Sequence, residues 1–169
     1  IDVDRHIPLS RKNPNGIAIV FGIEDYQDIR YPKLRFASRD RDVMRKYFNQ
    51  TFGLSDFQLL PSKPWQMEGG PTEEEYRIIF DPYDGDLRKR INSAVKYSNI
   101  DEIDVFLYYR GYVEWVNGQP LLIPKNAKYD RHITKYPIED LINSLEKLSI
   151  LSSIRTITLF MDITYINPE

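Results

Sequence analysis

Four short segments limit the fold of this chain: Ile17–Gly22 (IAIVFG), Phe57–Leu60 (FQLL), Ile103–Tyr109 (IDVFLYY) and Thr156–Asp162 (TITLFMD). They are largely apolar, rich in β-branched and aromatic residues, and carry little of the polar alternation of a half-exposed strand. Such runs fit strands covered on both faces, the situation in a mainly parallel sheet. The intervening segments have helical spacing instead. Met44, Tyr47, Phe48 and Phe52 recur along Phe36–Leu54, with Gly53 as the stop. Leu87, Ile91, Ala94 and Val95 line one face of Asp84–Ser98, with Asp84 or Asp86 available to cap its first turn. After Pro137, the residues Ile138, Leu141, Ile142, Leu145 and Leu148 form a third apolar face, with proline in the first turn.

This alternation predicts an α/β protein in which helices sandwich a mainly parallel sheet. Within Val113–Pro124 (VEWVNGQPLLIP), Asn117-Gly118 suits the positive φ angles of a type I′ turn and predicts a small hairpin after the third strand. Residues 1–15 read as an extended lead-in and residues 16–169 as one domain. The segment Pro61–Asp84, which holds Trp65, is long for a loop in a compact domain and is a candidate functional or mobile segment. Within it, Glu73–Glu75 reads as the first turn of a short helix. Open α/β sheets place their sites beyond the carboxyl ends of the strands. That rule groups Gly22–Tyr26, Arg110–Val113 and Asp162–Tyr165 at one rim.

Composition narrows the chemistry. The chain has no cysteine, which excludes disulfides, thiolate metal sites and a cysteine nucleophile within it. Its only histidines, His6 and His132, have no ligand spacing around them, so neither a metal nor a cofactor is expected. The formal net charge is −2, and Arg39, Arg41, Arg45 and Lys46 are interleaved with Asp40 and Asp42 as on a solvated helix face. No basic stripe marks a nucleic-acid partner. No apolar run approaches the roughly 20 residues that span a bilayer, so no membrane span is expected, and the compartment is left open. A glycine-rich phosphate loop is missing after the first strand, which argues against a nucleotide binder.

At the three strand ends the chain resembles the caspase-like cysteine peptidases, particularly bacterial and metacaspase-like members. "VFGIEDYQDIRYPKLRFASRDRDVMRKYFNQTFGL" is similar to that family's first strand, its Gly-Ile-x-x-Tyr segment and its Ala-x-x-Asp helix. "YYRGYV" stands where the family has Tyr-Tyr-Ser-Gly-His-Gly, "NGQPLLIP" where it has a turn and an apolar-Pro segment, and "FMDITYIN" where it has Leu-Asp-x-Cys. The resemblance spans most of the chain and implies a three-layer α/β/α caspase-like fold. It covers the large-subunit portion, with the two further strands of the small subunit absent from the chain.

The departures fall on the chemistry. By this resemblance Tyr112 occupies the place of the general-base histidine and Thr164 that of the nucleophilic cysteine. Val113 replaces a glycine whose N–H helps hold the oxyanion, and Arg110 replaces a small serine; Gly111 and Asp162 are retained. A cysteine, pKa ~8.5, is already a few per cent thiolate near neutrality. A threonine hydroxyl needs a strong adjacent base, and a tyrosine, pKa ~10, is protonated at pH 7 and cannot serve as one. No catalytic residue is therefore expected. The resemblance implies a pseudopeptidase acting as a protein-interaction, regulatory or structural module. The alternative is a hydrolase with residual or partner-complemented peptide hydrolysis.

The candidate contact surface is the old cleft: Glu24, Asp25, Arg110, Gly111, Tyr112, Val113, Asp162 and Thr164. Bland roles stand beside the functional ones. Tyr112 is a packing residue closing the cleft or a hydroxyl that meets a ligand. Thr164 is an ordinary strand-end residue or part of the rim. Asp162 bonds backbone amides or faces a ligand. Glu24 and Asp25 form a solvated turn or recognise a basic side chain. Trp65 and Trp115 flank the same region, and His132 reads as a surface histidine. With two strands missing, Thr156–Asp162 becomes an edge that invites another strand, from a second copy or from the missing segment.

Overall fold

The computed structural model describes residue 7 and residues 12–62, 69–98 and 101–166. It is an α/β protein with a six-stranded mixed sheet and four helices among these residues. The strands are β1 (Gly16–Gly22), β2 (Leu59–Leu60), β3 (Ile103–Val116), β4 (Gln119–Leu122), β5 (Tyr136–Pro137) and β6 (Ile154–Ile166). The helices are α1 (Ala37–Gln50), α2 (Glu73–Phe80), α3 (Asp86–Ser98) and α4 (Ile138–Leu151). The lead-in 1–15 lies mostly outside the described residues, as does Trp65.

β1 runs parallel to both β2 and β3, and β3 is parallel to β6. β6 follows one edge of β3 from Ile103 to Glu114. The opposite edge is held first by β1 and, past Gly22, by the antiparallel β4, which in turn pairs with β5. Helices cover both faces. One face of β1 and β3 packs Ala18, Val20, Phe106 and Tyr108 on Phe48 of α1. The other packs Ile17, Ile19, Phe21, Val105 and Leu107 on residues of α2, α3 and α4. Every residue of β1 is buried, as an unbroken apolar run requires. The hairpin forms as expected: Val116 pairs with Gln119, and Asn117 and Gly118 both take positive φ, 50° and 82°.

Three expectations are corrected. First, Arg110–Val113 does not lie beyond the end of the third strand, because β3 continues without interruption to Val116. Pairing with β6 along the whole stretch, and with β1 at Arg110 and β4 at Val113 on the other edge, keeps it extended. Gly111 serves close packing there: a Cβ would lie 2.3 Å from the Tyr109 hydroxyl oxygen, whose ring occupies that space. Second, the last strand does not end at Asp162; β6 runs on to Ile166. Third, that strand is half-exposed, because it stands at the edge of the sheet and pairs with β3 alone among the described residues. Within Pro61–Asp84, the short helix expected to begin at Glu73–Glu75 forms as α2. Thr72 and Glu75 form a reciprocal capping box, and Tyr76, Ile79 and Phe80 supply the buried face that makes α2 stable. The Tyr76 ring stacks on Tyr136 and meets Phe21 edge-on, at 5.1 and 5.3 Å between centroids.

Candidate functional site

The rim expected from the sequence is an extended ladder. Gly22 is in register with Arg110, Arg110 with Asp162, Gly111 with Ile163, Tyr112 with Thr164, and Val113 with Tyr165. Successive strand residues alternate faces, so Arg110, Tyr112, Asp162 and Thr164 share the α1 face while Gly111 and Val113 belong to the opposite one. The ladder thus divides the candidate residues into two groups.

Arg110 is the centre of the first group. Its Nη1 lies 2.8 Å from Asp162 Oδ1 and donates to Thr164 Oγ1 at 3.4 Å. Its Nε lies 3.6 Å from Asp40 Oδ2 on α1, beyond hydrogen-bond length, and is buried without a hydrogen-bond partner. The guanidinium therefore bridges β3, β6 and α1. Its backbone also closes the ladder at the end of β1, where the Ile23 amide donates to the Arg110 carbonyl at 2.9 Å.

Tyr112 is a packing residue. Its side chain is buried with Tyr31, Leu34, Ala37, Ile123 and Ala127, and its ring centroid lies 5.3 Å from that of Tyr26. Its amide donates to the Tyr26 hydroxyl at 3.0 Å, and its carbonyl accepts from the Ile123 amide and the Tyr109 hydroxyl. Burial raises the Tyr112 phenol above its ordinary pKa despite the nearby Arg110 charge, and burial acts on Tyr26 in the same direction. Neither phenol is poised to accept a proton at neutral pH. Val113, flanked by Leu122 and Tyr165 on adjoining strands, has no free turn geometry to offer an oxyanion.

The acidic pair is committed elsewhere. Glu24 Oε2 accepts from the Ser38 amide at 3.2 Å, and Oε1 lies 3.1 Å from Lys33 Nζ. This carboxylate serves the first turn of α1, whose N-cap, Phe36, has left-handed φ and offers no side-chain acceptor. Burial opposes its ionisation, but the Lys33 ammonium and the Ser38 amide outweigh it and hold Glu24 below the usual carboxylate range. Asp25 shares Lys33 at 3.2 Å. Gly22 allows a close approach of α1 to the sheet, since a Cβ there would run into the Ala37 carbonyl oxygen.

Three features at this end of the sheet escaped the sequence reading. Asp40 was grouped with the solvated charges of α1, and only packing brings it to Arg110. Tyr26 was part of the rim but carried no sign that its hydroxyl would hold the Tyr112 amide. Beneath the tyrosines lies a buried ion pair, Glu114 with Lys135, at 2.5 Å. Strand parity was the available signal here, since it puts Glu114 on the face of Tyr112 and turns Trp115 outward. Trp115 is 52% exposed, on the face away from Tyr112. His132 is exposed, as expected. Among the described residues, no helix is long and apolar enough to cross a membrane.

The chain matches no protein-family model and no curated protein.

Proposed function

We propose that the chain is a catalytically inactive caspase-like domain, a pseudopeptidase that works by binding protein or peptide. One observation carries this reading. Tyr112, a buried phenol, and Thr164 are register partners on adjacent parallel strands, and the cation beside the threonine hydroxyl is an arginine ion-paired to Asp162. Two further features agree with it. The three strands that carry the quoted motifs, β1, β3 and β6, are parallel neighbours, with a hairpin after β3. The Tyr112 ring also fills the space between Tyr26 and Ile123 rather than leaving a cleft.

The hydroxyl of Thr164 has the Arg110 guanidinium as its neighbour, and a cation that cannot deprotonate takes no proton from it. Acyl transfer has no route through this pair. Binding falls instead to the exposed groups of the rim and to the outer edge of β6, a 13-residue strand whose Phe160, Ile163 and Tyr165 are exposed. An unpaired edge with apolar side chains on both faces is suited to an added strand from a partner or a second copy.

Incubation with fluorogenic peptides carrying basic or acidic residues before the leaving group tests the reading. The expected result is no release above blank. Release that disappears in Thr164→Ala would overturn it in favour of a hydrolase. In the triple variant Tyr112→His, Val113→Gly, Thr164→Cys, any gain of cleavage reports that the scaffold descends from a working peptidase.

A further inference from the structure

A second concavity lies at the opposite edge of the sheet from β6 and does not depend on the reading above. It opens between β2, α2 and α3, with a volume of about 660 Å³, within the range of pockets that hold small organic ligands. Leu60 and Ile79, both buried, form an apolar floor together with Pro61. One wall is Arg90 of α3, whose guanidinium carbon stands 4.1 Å above the centroid of the half-exposed Phe57 ring. Its Nη2 donates to Ser62 Oγ at 2.5 Å. Stacking on the ring and one hydrogen bond hold the planar fork in place.

Among the described residues no carboxylate is ion-paired with that fork, although Asp86 stands one turn earlier on the same helix. Two other charges around the cleft are engaged elsewhere. Lys89 pairs with Asp84 at 3.2 Å, and Glu75 is held by the Thr72 amide at 2.7 Å in the cap of α2. Burial pulls the Arg90 guanidinium below its ordinary pKa, against the smaller opposing effect of Asp86. Four of the five N–H donors of a guanidinium are left over when one meets a hydroxyl.

We propose that this cleft binds a ligand with an apolar body and a single carboxylate, the carboxylate meeting Arg90 and the body lying on Leu60, Ile79 and Phe57. The planar fork matches a carboxylate in two-point geometry. Among the described residues the cleft offers one available cation, with Asp86 and Glu75 at the rim, which disfavours a doubly charged phosphate. A free aryl carboxylic acid and the carboxyl-terminal residue of a peptide share this chemistry.

Amide-resolved NMR titration of the whole chain separates them. The probes are 3-phenylpropionate, 3-phenylpropionamide, a phenylalanine-terminated tetrapeptide with a free or amidated carboxyl end, and inorganic phosphate. Both acids are expected to shift the amides of Phe57, Leu60, Ile79 and Arg90, and the tighter one identifies the source. Each amide should bind about tenfold more weakly than its acid, because one charge-assisted contact is lost. Arg90→Gln should weaken the acids by a similar factor while leaving the rest of the spectrum in place, with Arg90→Lys falling between. Equal binding of acid and amide would overturn the proposal, as would an unchanged Arg90→Gln variant. Phosphate binding as tight as the acids, or no shift with any probe, would do the same.

Discussion

The ammonium of Lys135 lies 2.5 Å from the carboxylate of Glu114, with both side chains fully buried beneath the tyrosines of the β3 rim. Lys135 also donates to the Tyr129 carbonyl at 3.0 Å, and the Tyr31 hydroxyl donates to the same Glu114 oxygen at 3.4 Å. The second oxygen, Oε1, is buried without a partner. The pair ties the chain before β5 to the far end of β3.

Removing one member leaves the other charged in a dry interior. Glu114→Gln or Lys135→Met should each cost about 3–5 kcal/mol in urea unfolding. The double variant Glu114→Met, Lys135→Met removes both charges and should cost much less than the sum. A double variant as unstable as the sum would mean that the two side chains act separately.

Asp104 predicts an acid-sensitive step at the other end of the sheet. Arg155 donates to it, opposing the effect of burial, and Thr156 at 2.6 Å and Asn13 at 2.8 Å add to the lowering. Its pKa falls to about 2 from the ordinary 3.8. A carboxyl whose folded pKa is depressed contributes stability above its unfolded pKa and loses it as pH falls through the folded one. The wild-type chain should therefore lose of the order of 2 kcal/mol between about pH 4 and pH 2 from this group. Asp104→Asn should be less stable near neutrality and show a flatter pH dependence across that window. An unchanged slope would remove Asp104 from the account.

Gly111 should tolerate no side chain while Tyr109 keeps its ring. Gly111→Ala places a methyl in space held by a buried tyrosine and should cost about 1–3 kcal/mol through overpacking. Tyr109→Leu frees that space, so Gly111→Ala should cost less in its background, measured as a double-mutant cycle. Additive costs would mean that the Tyr109 ring is not what excludes the methyl.

The outer edge of β6 should be separable from the stability of the fold. Ile163 and Tyr165 are exposed, so Ile163→Lys and Tyr165→Lys together should change unfolding free energy by less than about 1 kcal/mol. Any self-association seen by light scattering should be abolished by the same pair, since edge lysines oppose strand addition. A clean monomer whose β6 edge stays open to water would count against this edge as a docking strand.

Much of the architecture was legible. The unbroken apolar run of β1, the leucine spacing of α4 and the Asn117-Gly118 turn are local signals, and each produced the element it announced. The rim was legible as a set of positions but not as chemistry. Glu24 and Asp25 read as a free acidic pair, yet Lys33 and the α1 amide at Ser38 occupy them. Arg110 read as a departure from a motif, and its partners proved to be Asp162 across the ladder and Asp40 from the helix above. The cleft at Arg90 left no local trace, because it is formed between three elements, β2, α2 and α3, and belongs to none of them alone.

Side-chain periodicity and turn chemistry act within a few residues, so composition and spacing account for the existence of the long strands, the helices and the hairpin, though not for the two-residue β5. How far a strand extends depends on its neighbours. Gly111 stays extended because β6 pairs with it along one edge while β1 and β4 hold its neighbours Arg110 and Val113 along the other, and β6 outlasts Asp162 because β3 is there to receive it. Whether a charge is buried is likewise a matter of what folds over it. Glu114 lies inside and Trp115 outside through the pleat of a paired strand, against the ordinary preference of both residues, and only Lys135, brought in from beyond the hairpin, makes that arrangement stable.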